Sequence, residues 1–219
     1  FAGNFIPMFL FPIAETKVSS SIAGIMNSMM PIFTIIVGAL FWKTKTTSRQ
    51  ILGILISFSG VVLLMISGEK SAETPIFYVG LLLFAAFLYA VSVTTVGAKL
   101  THIPAKMMSS FVFFYVLFLP SLISLYFSNF FKEFTFTNEN MIGLGFVATL
   151  SVLGTGLAMM LHYRLMSVSN PLFASTVTLL MPLVAVMWGV IDGESFTFLQ
   201  AVGAVIIFAG LIFLRKKKA

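Results

Sequence analysis

Eight stretches of the chain are almost continuously apolar, and polar or turn-forming residues separate them. They cover residues 1–14, 18–41, 47–67, 75–98, 107–130, 140–163, 171–191 and 196–214. A helix of about 20 residues crosses the hydrocarbon of a bilayer, and most of these stretches reach that length. Inside hydrocarbon a helix satisfies its own backbone, which an isolated strand cannot do. The pattern therefore predicts an all-α integral membrane protein with eight transmembrane helices. The breaks are a few residues long, so no soluble domain is inserted between spans.

Composition agrees with this reading. Hydrophobic residues make up 59% of the chain and charged residues 9%, against roughly 25% charged in an ordinary soluble domain. There is no cysteine, which excludes disulfide and thiolate chemistry. The chain opens inside an apolar stretch without the basic start and short apolar core of a cleavable signal peptide. The expectation is that further residues precede Phe1.

The placement of charge orients the bundle. Successive breaks must alternate between membrane faces. One set holds Lys43, Lys45, Arg49, Lys99, Lys106, Arg164 and the tail Arg215, Lys216, Lys217 and Lys218. The other holds Lys17, Lys70 and Lys132, together with all 7 acidic residues. Basic residues near span ends mark the cytoplasmic face. The expected location is thus a cell membrane, that of a bacterial inner membrane type, with a cytoplasmic C-terminus. The basic tail, residues 215–219, reads as a topology anchor, with anionic-lipid binding as the alternative. Trp42, Tyr78, Tyr126, Phe130, Phe131 and Tyr163 collect near breaks as an interfacial belt.

The chain also repeats itself. Thr47, Gln50, Gly53 and Gly60 recur as Thr197, Gln200, Gly203 and Gly210 at an offset of 150 residues. Met30-Pro31 and Gly38 recur as Met181-Pro182 and Gly189 at an offset of 151. Spans two and three therefore correspond to spans seven and eight. An odd number of crossings separates the partners, so they run in opposite directions. That is an inverted repeat, a frequent architecture among secondary transporters. Spans four and five lack partners in the first half. With a unit of five helices, two spans and roughly 75 residues would precede Phe1.

Pro31 and Pro182 sit mid-span. Proline removes a backbone bond and clashes with the carbonyl four residues back, here those of Asn27 and Thr178. Matched Gly/Pro interruptions are a sequence pointer to a transporter site. The expected cavity is lined by Asn27, Ser28, Met30, Ser175, Thr178 and Met181. The competing reading is a packing kink whose hydroxyls bond back to their own helix. The glycine pairs Gly53/Gly60 and Gly203/Gly210 each lie on one helix face and predict close packing. Spans three and eight are thereby assigned to scaffold or dimer contacts. His162, near a span end, reads as an interfacial histidine and His102 as a solvated one.

These residues resemble a known family. The stretch Ser19 to Pro31 with Gln50, Gly53 and Gly60 is similar to an EamA domain of the drug/metabolite transporter superfamily. The stretch Asn170 to Pro182 with Asp192, Glu194, Gln200, Gly203 and Gly210 is similar to a second. The resemblance implies two EamA repeats of five helices each, here residues 1–69 (its last three helices) and 75–214, of which eight of ten helices are present. It implies transport of a small metabolite, amino acid or amphipathic compound, efflux included. It also implies contributions to the site from spans four and six, for which Tyr89, Ser92, Thr95, Thr155 and Met159 are candidates, with Asn4 and Phe5 from span one. One position departs from the family pattern: the acid after the proline-bearing helix is Glu194 in the second repeat and Lys43 in the first.

Neither a metal cluster nor a nucleotide or protease motif is present, so no cofactor and no catalytic residue are expected. No ionisable residue stands clearly at mid-membrane, where one would mark an ion pathway. The expected partners are a small-molecule substrate and membrane lipid, with no nucleic acid and with a homodimer left open. The rival functions are a non-transporting membrane scaffold or sensor, and an intramembrane enzyme acting on lipid.

Overall fold

A computed structural model describes residues 3–18, 20–67, 75–128, 130, 134–191 and 197–214. Those residues form helices joined by short turns, with no strand among them. In chain order these are α1 (Phe5–Glu15), α2 (Ser20–Asn27), α3 (Met30–Trp42), α4 (Ser48–Ile66) and α5 (Ile76–Lys99). The span that follows comprises α6 (Ala105–Phe111), a widened π segment (Val112–Phe118) and α7 (Leu119–Phe127). The next comprises α8 (Asn138–Thr149), a second π segment (Leu150–Leu157) and α9 (Ala158–Val168). Last come α10 (Pro171–Ser175), a 3-10 turn (Thr176–Leu179), α11 (Met181–Ile191) and α12 (Phe198–Leu214).

Among the described residues 6 helical stretches are long and apolar enough to cross a membrane, and α1 and α12 are shorter apolar helices. This is an all-α membrane protein, as the hydropathy pattern predicts. The span expected at 140–163 is longer than expected, running as one 31-residue stretch from Asn138 to Val168. The π segment before Leu119 has a local cause. Pro120 can make no bond to the turn before it, and a widened turn absorbs the clash.

The repeated Thr and Gln have a plain physical role. Thr47 caps α4: its Oγ1 accepts from Gln50 N–H at 3.3 Å, and Gln50 Oε1 accepts from Thr47 N–H at 2.9 Å. Thr197 and Gln200 do the same for α12 at 3.2 and 2.8 Å. Each pair is a capping box, which satisfies donors the helix start would otherwise leave bare. At the other end of α3, Lys43 takes the left-handed conformation (φ 50°), and Thr44 N–H returns to Gly38 O at 3.0 Å.

The repeated glycines explain how α4 and α12 meet. Helices α4 and α12 run antiparallel and form the most extensive helix pair. A β-carbon placed on Gly53 would stand 2.8 Å from Gly210 O, and one on Gly60 would stand 2.8 Å from Gly203 O. At the centre of this crossing Ser57 Oγ donates to Ile207 O at 3.1 Å, across 150 residues. The offset of the sequence repeat thus exchanges Gly53 with Gly203 and Gly60 with Gly210, and carries Ser57 onto Ile207. The glycine faces of spans three and eight are taken up against each other inside the chain, which is the scaffold role.

Loop placement separates the charges. The turn after α3, the end of α5, the start of α10 and the end of α12 border one cavity. Lys99 lies over the Trp42 ring at 5.8 Å, at the same end. The end of α5 and the start of α6 pack against Tyr163 and Met166 of α9 there as well. That end therefore holds Lys43, Lys45, Arg49, Lys99, Lys106 and Arg164. At the other end the last turn of α1 packs with Tyr78 and Leu82 near the start of α5, beside Glu15 and Lys17. Glu139 opens α8, whose span finishes at the basic end. Lys70, Lys132, Glu69, Glu73, Glu133, Asp192, Glu194 and the basic tail lie outside the described residues.

Glycines at the crossing and away from it should respond to alanine with opposite signs. Gly60→Ala should lower the thermal stability of the purified protein, because the new methyl meets the Gly203 and Ile207 backbone and no rotamer change relieves it; the cost is about 1–3 kcal/mol. Gly80→Ala meets nothing within 4 Å and should raise it by roughly 0.5–1 kcal/mol. Thermal unfolding in detergent reads both.

Candidate functional site

In both proline-bearing spans the regular α-helical bonding is interrupted just before the proline, within helical stretches that run on from Ile22 to Trp42 and from Pro171 to Trp188. Helix α2 ends at Asn27 and α3 begins at Met30, so Pro31 occupies the first turn of α3. The second span breaks into α10, a 3-10 turn and α11, which begins at Met181. Proline at a helix start needs no hydrogen bond from its nitrogen, so Met-Pro fits the point at which α-helical bonding resumes in both spans.

The breaks meet each other. Asn27 Nδ2 donates to Met181 Sδ at 3.3 Å. Ser28 Oγ donates to Gly24 O at 2.8 Å and reaches 3.5 Å to Thr178 O. Thr178 O is the carbonyl that Pro182 leaves without its helical partner, so Ser28 approaches the acceptor that the opposite proline frees. The other hydroxyls bond to their own helix: Ser175 Oγ to Leu172 O at 2.8 Å and Thr178 Oγ1 to Ser175 O at 2.8 Å. Ser28 and Ser175 are wholly buried, and Met181 is 54% exposed. For the hydroxyls the packing reading of the break therefore describes the geometry. The Asn27 amide differs, because its partner is a thioether, a weak acceptor.

The predicted lining separates into groups. Asn27, Ser28, Ser175, Thr178 and Met181 gather at the two breaks. Met30 is buried in a core with Ala90, Val93, Met108, Tyr163 and Met166, and Tyr89 and Met159 pack against the same core. The Tyr89 ring stands 6.1 Å from that of Phe11. Ser92 abuts Gly3, and Thr95 Oγ1 donates to Val91 O at 2.7 Å. Asn4 lies near Tyr163, at the start of α1 beside α9; Phe5 packs edge-on against Phe9. Thr155 lies half-exposed in the second π segment, in which no residue is buried.

Sequence reasoning missed the cavity that the structure does show. A space of about 550 Å³ opens at the basic end. Its walls include Thr34 of α3, Thr94 of α5, Thr44, Lys45 and Arg49 around the start of α4, and Asn170 before α10. Thr34 and Thr94 are buried, and their hydroxyls donate to Met30 O and Ala90 O, each at 2.8 Å. The signal was present as Lys45 and Arg49, four residues apart, but those residues also serve to orient the bundle, and nothing in the sequence places Thr94 or Asn170 opposite them. No group of His, Cys, Asp or Glu among the described residues could hold a metal ion.

Comparison with known proteins agrees with the fold. A 225-residue match to an uncharacterized transporter, YetK, of Bacillus subtilis strain 168 is 26% identical and covers 98% of this chain and 67% of that protein. A 52-residue match to an uncharacterized transporter of Archaeoglobus fulgidus is 36% identical and covers 24% of this chain and 19% of that one. The chain thus spans about a fifth and two thirds of these relatives' lengths. A protein of solved crystal structure superimposes with a TM-score of 0.75 at 15% identity, over 97% of this chain and 72% of that one. Residues 1–66 and 76–216 match the EamA-like transporter family. With nearly its whole length matched, this chain belongs to the EamA-like transporter family.

Proposed function

We propose that the protein is a secondary transporter that moves a small metabolite, amino acid or amphipathic compound by alternating access between two inverted halves. The observation that carries this reading is the meeting of the two broken helices. In hydrocarbon, interrupted backbone is tolerated where it is buried in protein or lines a cavity. Here both interruptions lie at matched positions and face each other through Asn27, Ser28, Thr178 and Met181. The Asn27 amide can exchange a thioether for a better acceptor on a solute at little cost.

The antiparallel crossing of α4 and α12 supports the inverted arrangement, since the offset of the repeat exchanges its glycine contacts. Two halves related in this way have two equivalent ways to lean on each other, which is what alternating access requires. The cavity opens at the end that carries the basic residues, and the positive-inside rule makes that end, with the C-terminus, cytoplasmic. The membrane is a cell membrane. A homodimer would have to use a face other than the glycine faces of α4 and α12.

A scaffold or sensor would need no weakly held amide at a double break. An enzyme acting on lipid would need a nucleophile, a base and an acid within reach of one another, and the family match favours transport instead.

Flux measurements in proteoliposomes test the reading. A metabolite panel should contain a compound that crosses faster with the protein than through empty liposomes; no acceleration for any compound would overturn it. Asn27→Leu should lower that flux about tenfold, the loss of a hydrogen bond of roughly 1.4 kcal/mol, with expression preserved. An equal fall in expression and flux would instead mark Asn27 as a packing residue. For orientation, a fluorescent protein fused to the C-terminus should fluoresce in a bacterial host, and an alkaline phosphatase fusion at the same point should be inactive.

A further inference from the structure

The cavity at the basic end carries a charge imbalance that the breaks do not. Lys45 and Arg49 stand on its wall, and neither makes an ion pair among the described residues. The Arg49 guanidinium is held 5.9 Å from the Phe213 ring centroid. The acids among the described residues are Glu15 and Glu139, and neither lines the cavity. Lys45 and Arg49 are exposed at the mouth of the cavity, and two cations beside an apolar wall attract anions. Arginine also presents planar paired donors that match the oxygens of a carboxylate or phosphate.

The rest of the lining fits an organic body rather than a bare ion. Ile35, Leu172 and Phe213 are apolar. The volume of about 550 Å³ falls in the range of small-molecule sites, roughly 300–1,000 Å³. Thr34, on the cavity wall, lies three residues beyond Pro31 in sequence.

We propose that this cavity is an anion-binding vestibule. Lys45 and Arg49 take the carboxylate or phosphate group of an amphipathic molecule, and Ile35 and Leu172 cover its apolar remainder. The proposal narrows the substrate class of the transport reading and rests on that reading for onward movement to the break. Binding itself is measurable without flux.

The test uses phenylacetate and phenyl phosphate as probes, phenylacetamide as the uncharged control, and the purified full chain in phosphatidylcholine nanodiscs. Calorimetry should show the anions binding at least about tenfold tighter than the amide, as charge-assisted bonds predict. Lys45→Gln and Arg49→Gln should each weaken the anions by about fivefold to tenfold and leave the amide unchanged. Arg49→Lys should recover part of the loss, and an unchanged elution profile checks that each variant is folded. Phosphatidylglycerol nanodiscs separate the two sources of the anionic group. Weaker phenylacetate binding there in the wild type, but not in the double variant, assigns the site to a lipid phosphate; unchanged binding assigns it to a free solute.

Equal binding of anion and amide, no binding of either anion, or wild-type anion binding by the double variant would each overturn the proposal. Charge-dependent binding without flux of any solute would leave it standing and overturn the transport reading. Flux without charge-dependent binding would do the reverse.

Discussion

Everything in this molecule depends on the need to satisfy backbone groups in a solvent that offers no hydrogen bonds. Hydrocarbon admits whole helices and penalises interrupted ones. The chain nevertheless interrupts two spans, and it does so where they can supply each other's wants. Ser28 approaches the carbonyl that Pro182 exposes, and Asn27 reaches Met181. A single break would leave polar backbone facing lipid, and here the two breaks lie against each other.

The same constraint explains the scaffold. With no hydrophobic drive between helices inside a bilayer, association depends on close packing and on polar contacts. Glycines on α4 and α12 allow backbone to approach backbone, and Ser57 adds a hydrogen bond to Ile207 O at the crossing. The capping boxes at Thr47 and Thr197 start those helices at equivalent points. The register of the crossing and the register of the repeat are therefore one property.

Charge marks one end of the described residues, where Lys45 and Arg49 stand with Lys43, Lys99, Lys106 and Arg164. The αL turn at Lys43 brings Thr44 and Lys45 round to the start of α4. A position that is acidic in the second repeat is basic here.

Sequence alone determined the spans, their segregated charges, the repeat and its family, because hydropathy over about 20 residues and a duplicated pattern are local properties that survive without coordinates. It also marked Asn27, Ser28, Thr178 and Met181, because proline has a predictable effect on the backbone around it. It could not say what the groups freed by each proline find nearby, since that depends on which helix lies opposite. Nor could it tell that Met30, Tyr89 and Met159 fill a core while Thr34, Thr94 and Asn170 line a cavity. The sequence carries no register between one helix and the next, and only the packing of α3, α5, α9 and α10 decides which of these side chains face a core and which a cavity.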